Sequence, residues 1–296
     1  MNRNFRVGWW LVVLTIILMF AMPVIFTPWF SQPKTAVAEY TTSILAELTF
    51  LIPAAIGVLY IKTTQKGEKN VLAIKKCSPI TAILSVPTIL SAQYFITYMT
   101  LPVQALLIIL FGIETATTQM TVPSSIWEFL TAFAALCIVA PVVEEVLCRG
   151  VLIKLFEQCG EAAALISSAI AFAMLHFEAR SFIQIFFVGL LIGAFRIGTG
   201  SIVPCIIMHA ANNLFSLLQL MLFNEENPIP VVACIVLAAM FVPLMYITFV
   251  KCGKYFDFEK RSIAKERVGF SLGACICIAC FAIYNIGMLI EHIINL

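Results

Sequence analysis

Long apolar blocks separated by short polar stretches make up most of the chain. Each block approaches the roughly 20 residues that an α-helix needs to cross a bilayer. The first runs from Gly8 to Thr27 behind Arg3 and Arg6, with Trp9, Trp10 and Trp29 placed as interfacial aromatics. It is too long for a signal-peptide core and predicts a retained span. A second block covers Thr42 to Ile61 and a third Pro79 to Leu101, while Pro102 to Ile113 reads as a shorter re-entrant or interfacial piece. Ser125-x-x-Glu128 has the spacing of a capping box and opens a fourth helix that continues to Glu157, kinked at Pro141. Helices are then expected over Glu161 to Phe177, over Ser181 to Arg196, and from the Gly198-Thr199-Gly200-Ser201 turn to Phe223. An eighth span covers Pro228 to Val250, and a ninth closes the chain.

The expected fold is therefore all-α, a polytopic transmembrane helix bundle of eight or nine spans. Three regions follow from it: N-terminal spans over 1–124, a core of four consecutive helices over 125–223, and C-terminal spans over 224–296. Composition agrees, with 61% hydrophobic and 11% charged residues and a mean hydropathy of +1.02, where soluble domains carry about 25% charge. A net charge of +2 gives no reason to expect a nucleic-acid partner.

The placement of charge says more than its sum. Lys62, Lys66, Lys69, Lys75 and Lys76 crowd one loop, and Lys251, Lys254, Lys260, Arg261, Lys265 and Arg267 another. The positive-inside rule puts both in the cytoplasm, with the N-terminus, and leaves Lys34, Arg180 and the polar Glu114 to Pro123 loop outside. The expectation is a multi-pass protein of the cell membrane, with lipids as partners and anionic lipid contact compatible with the basic loops. The ten cysteines fall mostly in apolar runs and read as small buried hydrophobes, the Cys275-x-Cys277-x-x-Cys280 cluster included.

Against this background, Glu144-Glu145-x-x-x-Arg149 is costly to bury. An ionised side chain at mid-bilayer is unfavourable by at least about 2.5–3.5 kcal/mol and marks a functional site by default. Glu145 and Arg149 share a helix face, whereas Glu144 is turned about 100° away. Glu145 can be neutralised within its own helix, and Glu144 is left over. Phe172-x-x-x-His176 and His209-x-x-x-Asn213 supply further polar groups in two later helices. At about 1.5 Å rise per residue, all of these groups reach similar bilayer depth. Glu144 is expected to face His176 on a route open to the cytoplasm. Glu47, a lone acid in the second span, is not expected to be catalytic, and Gly189-x-x-x-Gly193 reads as close helix packing.

Taken in order, these three motifs, with the intervening glycine helix and Gly-Thr-Gly-Ser turn, resemble the CAAX-protease and bacteriocin-processing family of intramembrane proteases, related to the Ras-converting CAAX endopeptidases. The likeness covers Ser125 to Leu217. It implies an endopeptidase acting on a peptide or lipidated protein. In that role Glu144 and His176 activate a water, His209 and Asn213 stabilise the oxyanion, and Glu145, Arg149 and Phe172 support them. No cofactor is expected. The alternative is a zinc ion on Glu144, His176 and His209, since two histidines and a glutamate with an open position satisfy the general rule for catalytic zinc. Two other functions compete: a non-proteolytic membrane immunity or regulatory scaffold, and a proton-coupled transporter, for which broken helices and an internal repeat are expected.

Overall fold

The computed structural model describes residues 2–30, 35–65, 68, 70–111, 121–223, 229–252 and 271–294. Lys34, Lys66, Lys69, residues 114–120 and the basic stretch 253–270 lie outside them, as do the side chains of Trp29 and His292. The described chain is helical, with no strand among the described residues. Among the described residues eight helical stretches are long and apolar enough to cross a membrane, and the shorter apolar helix Glu161–Leu175 has 15 residues. The molecule is an integral, multi-pass membrane protein.

Helix α1 spans Arg3–Phe30. The second block is two helices, α2 (Ala36–Leu48) and α3 (Leu51–Thr64), because Pro53 in the first turn of α3 has no N–H to continue the ladder. Helix α4 runs unbroken over Pro79–Phe111 and carries both Pro87 and Pro102 inside it, so the expected break at Pro102 does not occur. Hydroxyls beside each proline bond to backbone carbonyls, Thr88 Oγ1 to Leu84 at 2.7 Å and Thr100 Oγ1 to Ile96 at 2.9 Å.

The fourth block starts as α5 (Ile126–Phe133). Ser125 Oγ accepts from the Glu128 backbone N–H, while the Glu128 carboxylate reaches one residue further back, accepting from Ser124 N–H and Oγ–H at 2.7 Å each. The block then passes through a π-helical turn (Ala134–Val139), α6 (Ala140–Glu145), a second π-helical turn (Val146–Leu152) and α7 (Ile153–Phe156). The distortion is thus spread over two wide turns and not confined to a kink at Pro141. Helices α8 (Glu161–Leu175), α9 (Phe182–Thr199), α10 (Val203–Leu222), α11 (Val231–Cys252) and α12 (Leu272–Ile294) complete the bundle.

The main core lies where α1, α3, the second π-helical turn and α8 meet, around Leu147, Val151, Leu152, Leu155 and Phe156. Trp9 belongs to it, 5% exposed with its ring 5.7 Å from Phe156, so it is no interfacial anchor; Trp10 is the exposed member of the pair. Glycines set two of the closest approaches: a Cβ on Gly8 would lie 2.4 Å from the Phe156 ring, and one on Gly193 2.6 Å from Leu165. Nine of the ten cysteines, all but Cys252, are free thiols. Helix α4 packs against α9, α10 and α11. The loop before it ties to the α9–α10 turn, where Ser201 Oγ donates to Lys75 O at 2.7 Å and Ile202 N–H to Ala73 O at 3.1 Å. That turn ends α9 on Gly200, whose φ of 66° is left-handed.

Candidate active site

The site begins with what Pro141 lacks. In the π-helical turn each N–H reaches five residues back, as Ala140 N–H does to Ala135 O. Pro141 is next in that series and has no N–H, which leaves Leu136 O without its donor. Asn213 fills the gap, donating from Nδ2 to Leu136 O at 2.9 Å. The predicted oxyanion residue therefore also pins α10 to the distorted helix, with one amide hydrogen remaining.

Glu145 and Arg149 pair as their spacing predicts, at 3.0 Å and fully buried. The same carboxylate oxygen also holds His209 Nδ1 at 2.9 Å. Since a buried carboxylate can only accept, Nδ1 carries the proton and Nε2 is turned away from Glu145. Arg149 is held on three further sides. Its Nη2 donates to Gly189 O at 3.2 Å, its guanidinium lies 4.2 Å from the Phe172 ring centroid, and its own carbonyl accepts from Arg196 Nε at 3.0 Å. The backbone of α9 comes close enough because residue 189 is glycine: an added Cβ would lie 3.2 Å from Phe172 Cδ1. Phe172 also presents its edge to both His176, at 4.8 Å, and His209, at 5.6 Å.

His176 caps the end of α8, and its Nδ1 is 2.8 Å from Phe172 O. A carbonyl accepts only, so Nδ1–H is again the donor and Nε2 is the free ring nitrogen. His176, His209, Asn213 and Phe172 line one cavity of about 210 Å³, together with Gln93, Gln184, Asn212, Ser216 and apolar groups of α9. Counted from the helix ends nearest the basic 70–78 loop, His209 lies roughly 9 Å in, and Gln93, Ser216 and Gln184 about 20 Å or more. The lining thus extends from His209 away from that loop.

Glu144 is 8% exposed and is not among the groups that line the cavity. Among the described residues it makes no hydrogen bond to His176. The acid it faces is Glu47, at the end of α2, which lies within electrostatic reach and whose Oε2 is buried without a partner. Hydrophobicity patterns could not pair Glu47 with Glu144, because only the packing of α2 on α6 brings them together. Asn212 and Gln93 were likewise unmarked, although polar amides in apolar helices are a usable signal.

The zinc alternative asks Glu144, His176 and His209 to converge. Among the described residues no three His, Cys, Asp or Glu side chains are grouped to hold a metal. Both histidines are held through Nδ1, which leaves Nε2 as the nitrogen available to a ligand.

Residues 125–215 match the family model described as type II CAAX prenyl endopeptidase Rce1-like. Neither the curated proteins nor the solved structures gave a match.

Proposed function

We propose, from the match of residues 125–215 to the Rce1-like type II CAAX prenyl endopeptidase model, that the chain is an intramembrane endopeptidase for a peptide or lipidated protein, using a water activated by Glu144 and His176 and no metal. The carrying observation is the cavity that gathers His176, His209 and Asn213 from two helices within the bilayer. For the reaction the Glu144 carboxylate, which does not line the cavity here, turns toward it and accepts a proton from the water as the water oxygen bonds to the scissile carbonyl carbon. His176 orients that water through Nε2, its tautomer being fixed by Phe172 O. The developing oxyanion takes hydrogen bonds from the second amide hydrogen of Asn213 and from His209, which in its imidazolium form presents Nε2–H opposite the Nδ1–H held by Glu145. The C–N bond then breaks, and the proton held by Glu144 passes to the leaving amine. Glu145 is a positioning residue: it ties Arg149 and His209 through one oxygen.

The test uses purified protein in detergent, a farnesylated peptide ending in a CAAX tetrapeptide and a panel of leader peptides. Cleavage that His176→Ala reduces by about 10²- to 10⁴-fold, and that survives exhaustive chelation with no metal detected, supports the reading. Loss of cleavage on chelation, restored by zinc, overturns its metal-free part. Peptide binding without cleavage supports the scaffold instead.

A further inference from the structure

Two side-chain amides in the cavity are only partly used. Gln93 of α4 and Asn212 of α10 both line it, and their side-chain oxygens, Gln93 Oε1 and Asn212 Oδ1, are buried without a hydrogen-bond partner. Whichever way each amide is turned, one polar end stays uncommitted. An unpaired buried polar group is costly. Gln93 is held by a single long contact, Nε2 to Ser216 Oγ at 3.5 Å.

The same face of α4 continues as a polar stripe. Gln93, Thr97, Thr100 and Gln104 follow at intervals of four, three and four, which align them along one side of the helix. Gln184, at the start of α9, bridges two of them, donating to Thr97 Oγ1 at 2.9 Å and accepting from Gln104 Nε2 at 3.4 Å. Ordinary helix-to-helix bonding accounts for Gln184, Thr97 and Gln104 but not for the two open amides.

We propose that Gln93 and Asn212 bind the main chain of an extended peptide substrate in the cavity, and so position the scissile bond before His176. The proposal rests on the endopeptidase reading of this cavity. Side-chain amides offer both a donor and an acceptor, the complement of a peptide unit. At about 30 Å³ per water, the cavity holds a short stretch of backbone and no folded domain. Such contacts recognise peptide groups whatever the side chains, so they set where a chain lies and leave sequence preference to the apolar lining.

The experiment measures binding separately from turnover. Full-length protein carrying Glu144→Ala, in detergent, is titrated with a fluorescently labelled farnesylated peptide ending in a CAAX tetrapeptide, and Kd is read by anisotropy. Adding Gln93→Leu or Asn212→Leu is expected to raise Kd about 3- to 10-fold, the effect of one neutral hydrogen bond. A second measurement alters the peptide: each backbone N–H around the scissile bond is replaced in turn by an ester oxygen. An ester that weakens binding to the Glu144→Ala protein should weaken it no further once the partner amide is also removed. Additive losses at every position, unchanged Kd in both leucine variants, or no saturable binding would each overturn the proposal. Failure of the endopeptidase reading shows differently, as an absence of cleavage by the wild-type protein.

Discussion

Arg149→Met is the sharpest structural perturbation, because it removes one partner of a fully buried pair and keeps the volume. It loses the 3.0 Å ion pair with Glu145, the bond to Gly189 O and the stacking on Phe172. The larger effect is on what remains: Glu145 stays buried, with His209 as its only other partner. Breaking such a pair from one side costs about 3–5 kcal/mol. An ordinary interhelical bond in a membrane bundle is worth about 0.6 kcal/mol. Thr88 and Thr248, whose hydroxyls meet at 3.0 Å between α4 and α11, provide that comparison through Thr88→Val. The assay is reversible unfolding in mixed detergent, followed by far-UV circular dichroism, for wild type, Arg149→Met, Glu145→Gln, the double variant and Thr88→Val. Arg149→Met should lose several times more stability than Thr88→Val. The double variant should recover much of that loss, since it leaves no uncompensated charge. If Arg149→Met costs no more than Thr88→Val, or the two changes at 145 and 149 simply add, the pair is not the buried electrostatic unit described.

Other consequences are as concrete. Gly193→Leu should separate α8 from α9, because a Cβ there already meets Leu165 at 2.6 Å, and cleavage and thermal stability should fall together. Glu68 is held below the usual carboxylate range, first by its bond to Lys154, 2.8 Å away. The stabilisation from this pair is therefore present above the ordinary carboxylate pKa of about 4.3 and is lost as pH falls through the lower folded value. Glu68→Gln should lower Tm slightly at pH 7, by the equivalent of less than about 1 kcal/mol, and make no difference near pH 3; an equal shift at both pH values refutes the sign. We also propose that the N-terminus is cytoplasmic, on the same side as the loop containing Cys77. In a variant whose other cysteines are replaced by serine or alanine, a membrane-impermeant maleimide should label Cys77 in inside-out vesicles only. Burial raises this thiol's pKa, so the reaction needs alkaline buffer, and labelling from outside intact cells reverses the topology.

What could be read from the sequence divides along a physical line. Blocks of apolar residues fix span positions because bilayer thickness sets helix length, and the Glu145–Arg149 pair follows from intrahelical spacing alone. Relations between helices did not follow. His209 binds the same oxygen of Glu145 that Arg149 does, and Glu47 faces Glu144, through packing angles that no local pattern encodes. Proline misled in both directions: Pro102 leaves α4 continuous, whereas Pro141 is flanked by π-helical turns and its missing donor is supplied by Asn213. Trp9 looked interfacial because tryptophan favours the headgroup region, yet Gly8 lets α1 approach Phe156 and draws the indole inside.

The central claim is that Glu144 is the base of a peptide-bond hydrolysis within the membrane. Its most direct test compares wild type with Glu144→Ala on the farnesylated CAAX peptide, with products identified by mass and binding checked in parallel. The account predicts a single cleavage by wild type, a loss of at least about 10²-fold in the variant and unchanged affinity for the peptide. Equal cleavage by the two proteins contradicts it.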